Sequence, residues 1–397
     1  MDFSTLKQYM DKLVNEYNAP GVDCIVYQEH KKVFRYFTGM SDIENNKPMC
    51  GNELYLIFSM TKMITCVCAL QLIEQGKISF DDPIYKYLPE FEQMKVSVEE
   101  NNPNDANEIA TGKTFGTVGQ NKETCFARNH ITVKDLFTMG AGLDYNLSSD
   151  AIKNALSNGK TSTRDLVKAI SKTVLGFEPG TSFRYSLCHD VLGALIEVVS
   201  GMKLGQYMKE NVFIPLEMKD TFFGVPEDEE RLSRMAARYM YDENRKPQRM
   251  SLECPYNLSK EYESGGAGLV SSTEDYAIFL DALANGGEGK NGNRVLKPST
   301  VKLMRTNHMT EEQMIVFAPL RKGYGYGLGV RTHIDKEKSG SLSPIGEFGW
   351  DGAAGAFSLV DSKNNISLTF FQHIHGWEPK IQTEMRNALY VCLNKKY

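Results

Sequence analysis

Phe58-Ser59-Met60-Thr61-Lys62 is the stretch on which the reading of this chain turns. Residues 54–58 approach it as an extended apolar segment, and Met63-Ile64-Thr65-Cys66-Val67-Cys68-Ala69-Leu70 follows it. That pattern predicts a helix starting at or just after Ser59 and running to about Gln75, with Gly76 as its stop. On such a helix Ser59 and Lys62, three residues apart, share a face, where a desolvated amine can act as base toward the hydroxyl. Ser-x-x-Lys also occurs at Ser4, Ser157, Ser200 and Ser299, so the spacing does not by itself select Ser59. Context separates them: the other four fall in a polar terminus, a turn, a helix end and an N-cap after Pro298, whereas Ser59 has apolar sequence on both sides. Burying a serine and a lysine there is costly unless they have partners or a chemical role. A capping serine with a snorkelling lysine is the bland alternative, and five residues do not decide between the two.

The remaining composition narrows the function. At 397 residues, 41% hydrophobic and 24% charged, the chain has the make-up of a globular protein of one large domain or two intimate ones. A net charge of -5 and the lack of a basic run argue against nucleic acid or an anionic membrane as partner and leave small molecules or short peptides. Met1 to Met10 reads as an amphipathic helix without a signal-peptide core, and no apolar run reaches membrane-spanning length, so the expected location is cytoplasmic. The cysteines at 24, 50, 66, 68, 125, 188, 254 and 392 show no Cys-x-x-Cys spacing and read as reduced, small hydrophobes. His373-Ile374-His375 puts two imidazoles on one strand face, with no third ligand in the neighbouring sequence. Neither a metal nor a cofactor is expected, and nothing in the pattern specifies an oligomeric state.

Along the chain, residues 1–17 read as a helix, and 22–27 with 32–38 as a strand pair around Gln28-Glu29-His30-Lys31. Residues 97–129 are polar and read as a long loop, either an active-site flap or a solvated excursion. Helices are predicted over 131–137 with Thr132 as N-cap, then 150–156, 163–173, 190–200 and 204–212, with a turn at 215–218. Gly265-Gly266-Ala267-Gly268 lacks the Gly-Lys-Ser/Thr of a phosphate cradle, so close backbone packing explains these glycines better. Strands are expected over 323–330, within 346–360 and over 366–372, and a final helix over 380–393. The order predicts an α+β fold: an antiparallel sheet built from both chain ends and flanked by terminal helices, with a mostly helical region inserted. In domain terms, 1–80 and 178–397 form the sheet domain, and 81–177 the helical region with its long polar loop.

The succession of blocks resembles the serine beta-lactamase and penicillin-binding-protein superfamily. The blocks are Ser59-Met60-Thr61-Lys62, Ile131 to Tyr145, Glu178-Pro179-Gly180-Thr181-x-Phe183-x-Tyr185-Ser186, Gly265 to Asp275, and Gly349-Trp350-Asp351-Gly352. The nearest branch is the class C beta-lactamase-like serine hydrolases, which includes family VIII carboxylesterases. The resemblance implies a beta-lactamase/transpeptidase-like fold, Ser59 as acyl-accepting nucleophile, Lys62 as its activator and Tyr185 as proton shuttle. It implies an oxyanion hole from the backbone N–H groups of Ser59 and Ala353, each such donor typically worth about 3 kcal/mol in the transition state.

Two departures bear on substrate. Tyr185-Ser186-Leu187 lacks the asparagine the family carries two residues after the tyrosine, and Trp350-Asp351-Gly352 stands where true beta-lactamases have Lys-Thr-Gly. The missing amide and lysine argue against peptide and beta-lactam substrates, while a tryptophan at that place resembles the esterase branch. Trp350, Asp351, Gly352 and Leu187, with Tyr324 and Tyr326 as candidate pocket walls, are the candidate substrate-binding residues. The leading expectation is an acyl-enzyme hydrolase of small esters or amides. A D-amino-acid peptidase or weak beta-lactamase, an acyltransferase and a non-catalytic binding scaffold stand as alternatives.

Overall fold

Alternation along Gly21–Gln28 organises the sheet. Val22, Cys24 and Val26 pack with Leu6, Met10 and Leu13 of the helix Ser4–Asn15, and with Ile381, Met385 and Leu389 of the helix Lys380–Cys392. Asp23, Ile25 and Tyr27 face the helix Thr273–Ala284, where Ile25 and Tyr27 pack on Ala277 and Asp23 accepts a 2.7 Å hydrogen bond from Thr273 Oγ1. A strand covered on both faces is buried along its length, here from Gly21 to Tyr27, which is why this one reads as a near-continuous apolar run.

The computed structural model describes residues 1–98 and 123–393. It places that strand in an eight-stranded antiparallel sheet ordered Tyr324–Tyr326, Arg331–His333, Phe348–Gly349, Phe357–Asp361, Ile366–Gln372, Gly21–Gln28, Lys31–Asp42, Lys47–Pro48. Val22 lies opposite Thr38 on one side and Gln372 on the other, so strands from both ends of the chain meet at the centre. The sheet is antiparallel, with the terminal helices on one face and the larger helical core on the other. The helix Thr61–Glu74 is buried at every position from Thr61 to Leu72, as befits a helix apolar all round. It packs against the helix Cys188–Ser200 within the main core.

Several elements differ from the sequence reading. The 97–129 stretch is not loop throughout: Thr124–Phe126 pairs antiparallel with Lys95–Ser97, and residues 99–122 lie outside the described residues. The expected turn at 215–218 begins inside a helix, because a π-helical segment, Lys209–Phe213, runs into the helical turn Ile214–Leu216 and carries Pro215. Residues 323–330 do not form one strand. Tyr324–Tyr326 turns back through Gly327, whose N–H donates to Val330 O at 2.7 Å, into Arg331–His333.

A buried ion network ties the last helix to the sheet. Arg331 bonds Asp351 at 2.7 Å and Glu347 at 3.4 Å, and Arg386 of the last helix bonds Glu347 at 3.3 Å. Arg331, Arg386 and Glu347 are almost wholly buried, and removing one member of such a set strands the others' charge. Glu347→Gln is therefore expected to cost about 3–5 kcal/mol of stability in urea unfolding. A loss below about 1 kcal/mol would show that the network does not hold the helix down.

Candidate active site

Strand Leu54–Leu56 pairs with Leu269–Ser272 and delivers the chain to the helix that carries Lys62. Between them the backbone turns sharply: Phe58 has φ +46°, a left-handed conformation that costs an L-residue about 1–2 kcal/mol. The Phe58 side chain is buried, with edge-to-face contacts to Tyr256 (centroids 6.0 Å apart) and His375 (5.2 Å), and this packing offsets the strain. Ser59 follows in the 3-10 turn Phe58–Met60. The turn is clamped from outside, with Leu269 N–H donating to Thr61 Oγ1 and Tyr276 O–H donating to Met60 O.

Lys62 is completely buried. Its three ammonium hydrogens meet three acceptors: Ser59 Oγ at 3.3 Å, the Tyr145 hydroxyl at 3.3 Å and Gly266 O at 2.7 Å. The same nitrogen lies 4.6 Å from the centre of the Tyr185 ring and 5.3 Å from that of Tyr145. Tyr185 therefore meets the lysine through its ring face, while its hydroxyl accepts a 3.2 Å hydrogen bond from Trp350 Nε1. The phenolic oxygen bonded to lysine belongs to Tyr145, which the sequence reading left without a role. Burial pushes the Tyr145 phenol well above its ordinary range, so it is protonated near neutral pH.

The glycine-rich stretch exists for space. None of Gly265, Gly266 and Gly268 has positive φ, yet a Cβ on Gly265 would lie 2.4 Å from His189 O, and one on Gly266 2.5 Å from Asp190 Oδ2. Close approach lets the Gly266 carbonyl reach Lys62 and the Gly265 carbonyl accept from Thr65 Oγ1 at 2.7 Å.

The candidate substrate-binding residues separate. Trp350 stacks on Tyr185 with centroids 5.6 Å apart, and Tyr326 meets its ring edge-on at 5.1 Å. Gly352 packs against the approach to Ser59, since a Cβ there would lie 2.7 Å from Ile57 O. The turn after it exposes Ala353, whose carbonyl accepts from Trp377 Nε1 at 3.3 Å. Asp351 instead spends its carboxylate on Arg331 and Arg321 (3.2 Å). Leu187 is buried in the main core, and Tyr324 packs against His333 and Arg386. The structure thus brings Ser59, Lys62, Tyr185, Trp350 and Tyr326 into one connected cluster and does not bring Leu187, Tyr324 or the Asp351 carboxylate to it. Tyr145, Gly266 and Tyr256 join it. The signal for Tyr145 lay in its position at the end of the second block; Tyr256 left none.

The chain belongs to the beta-lactamase family, whose model matches residues 6–391. Protein Rv1367c of Mycobacterium tuberculosis is 32% identical over 364 residues, covering 89% of this chain and 86% of its own length. Esterase EstB of Burkholderia gladioli is 26% identical, covering 97% and 94%. Among solved structures, EstCE1, described as a hydrolase with promiscuous acyltransferase activity, matches with TM-score 0.76 at 24% identity, over 97% of each chain.

Two measurements probe how Ser59 is held. At a left-handed position glycine is favoured over alanine, so Phe58→Gly is expected to retain about 1 kcal/mol more stability than Phe58→Ala in urea unfolding. The reverse order would mean that Phe58 is unstrained. Burial, with Arg238 nearby, holds His375 down to about 4, against an ordinary 6.5. The unfolded chain then takes up a proton below pH 6.5 that the folded one refuses, so stability falls as pH drops from 6.5 toward 4. His375→Phe keeps a ring beside Phe58 and is expected to shrink the pH 7 to pH 5 loss by about 1–2 kcal/mol, measured by urea unfolding at both values.

Proposed function

We propose that this protein hydrolyses small carboxylic esters through an acyl-enzyme on Ser59. The observation that carries this reading is the wholly buried Lys62 Nζ, 3.3 Å from Ser59 Oγ, with every donor matched to an acceptor at the mouth of a buried helix. A lysine placed so has no packing role that a leucine would not fill better.

In the proposed cycle, neutral Lys62 takes the Ser59 proton as Oγ bonds to the substrate carbonyl carbon. The carbonyl oxygen becomes an oxyanion received by the N–H groups of Ser59 and Ala353. Ala353 is suited to receive it, being exposed, with an N–H that makes no hydrogen bond among the described residues. As the tetrahedral intermediate collapses, the ester C–O bond breaks and the leaving alkoxide takes a proton relayed from Lys62 through the Tyr145 hydroxyl. Water, deprotonated by the same groups, then attacks the acyl carbon and frees Ser59.

Ester substrates are favoured because the wall beside Ser59 is aromatic. Tyr145, Tyr185 and Trp350 form a stack with successive centroids 5.8 and 5.6 Å apart, and Trp350 stands where true beta-lactamases have the lysine of Lys-Thr-Gly. Esterase EstB, similar over nearly its whole length, supports the same choice.

A chromogenic ester such as p-nitrophenyl butyrate is expected to give turnover, and a fluorophosphonate probe to label Ser59. Ser59→Ala should abolish both. An unlabelled Ser59, or ester turnover that survives Ser59→Ala, would refute the proposal, while stable acylation by labelled penicillin without ester turnover would point to a peptidase. Tyr145→Phe removes one of the three lysine acceptors and is expected to lower kcat/KM at least about tenfold.

A further inference from the structure

We propose that Asp190 is the counter-charge of Lys62, reaching it across Gly266, and that it positions the ammonium and sets the pH at which Lys62 becomes a base. The kinetic part of this proposal rests on the acyl-enzyme reading; the charge pairing does not.

Asp190 lies on the helix Cys188–Ser200 and is buried to 1% exposure. Its Oδ1 accepts from the Tyr262 hydroxyl at 2.8 Å and from Ser264 Oγ at 2.6 Å, which fixes the carboxylate plane. Its Oδ2 has no hydrogen-bond partner among the described residues. That oxygen faces Gly266: a Cβ added there would lie 2.5 Å from Asp190 Oδ2 and 3.3 Å from Lys62 Nζ, so the two charged atoms are at most about 5.8 Å apart. Gly266 has no positive φ to require glycine, so what excludes a side chain is this approach of carboxylate and ammonium from two sides. An anion buried with one oxygen unpartnered is costly unless an opposite charge stands close, and Lys62 supplies it.

The other titratable groups facing this interior do not offer that charge. On the same helix as Asp190, His189 is held well below its ordinary value by burial and by Lys62, so it is neutral. Burial raises the thiol of Cys66 on the Lys62 helix, the phenol of Tyr145, and those of Tyr256 and Tyr262. Tyr185 presents its ring face to the lysine. The opposing charges are therefore Asp190 and Lys62. An opposite charge at such range stabilises its partner's charged form, so the Asp190 carboxylate stabilises the Lys62 ammonium.

Asp190→Asn keeps an acceptor for Tyr262 and removes the charge. The variant and the wild type would be labelled with 15N-lysine, with Lys62→Arg identifying the Lys62 Nζ signal, and titrated alongside a pH profile of kcat/KM for p-nitrophenyl butyrate. In Asp190→Asn the Nζ titration and the acid limb of kcat/KM are expected to move down by about one pH unit or more. An Nζ titration that stays in place or moves up, in a variant with unchanged thermal midpoint, overturns the proposal. Tyr262→Phe, which keeps the charge and strips one of its hydrogen bonds, is expected to move the titration up; a downward move like that of Asp190→Asn means lost packing is responsible and also overturns it. Should Asp190→Asn fail to fold, the Tyr262→Phe titration decides alone, an unmoved or lowered value counting against. If the wild type turns over no ester, the acyl-enzyme reading falls while the Nζ titration still decides the role of Asp190.

Discussion

The structure around Ser59 is arranged to hold one ammonium group away from water. Lys62 Nζ has three hydrogens and three acceptors, each from a different part of the chain: Ser59 one turn earlier, Tyr145 after the short helix Val133–Thr138, and Gly266 just before Leu269–Ser272. A buried cation loses several kcal/mol of hydration, so these segments must be brought close enough to replace it. Much of the local geometry follows from that demand. The glycines at 265 and 266 let backbone carbonyls approach, and the tyrosine ring faces supply further negative potential.

A second constraint acts on Ser59. The chain enters as a paired strand and leaves as a buried helix, and the change of direction falls on Phe58. Its unfavourable backbone angle is maintained by the rings of Tyr256 and His375, which come from loop and sheet segments distant in sequence. On the other side, Gly352 fits against the Ile57 carbonyl, and Asp351 is anchored by two arginines. The last block thus braces the first, and a carboxylate that the sequence offered to a substrate serves this bracing instead.

What could be read from sequence was whatever depends on neighbours along the chain. The all-round apolar pattern after Lys62 specified a buried helix, Thr132 was recognisable as an N-cap, and alternation at 366–372 marked a strand. The approach of Gly266 to Asp190 was legible only as a need for small residues, because the partner atom comes from a helix some seventy positions away. Tyr145 was hidden for the same reason: nothing next to it says that its hydroxyl meets a lysine 83 residues earlier. Leu187 and Tyr324 show the converse, since a place in a recognisable block or an alternating Tyr-Gly run does not say which side of the core a side chain enters. The helical turn at Pro215 was missed because a π-helical segment relieves the clash that proline ordinarily causes.

The pairing of Gly21–Gln28 with Ile366–Gln372 has a consequence for how the molecule is made. The central rung of the sheet joins the first strand to one of the last, so its loop-closure entropy is met only when nearly the whole chain is available. During synthesis the early hairpin of Gly21–Gln28 with Lys31–Asp42 leaves one apolar edge and both its faces uncovered until the ribosome has produced the final strands and helix. The helix Thr61–Glu74, by contrast, packs on neighbours from the middle of the chain. The segments around Lys62 all precede Ile366–Gln372 in the chain, so that interior does not wait on the sheet, whereas the early hairpin stays open to aggregation until that strand is made.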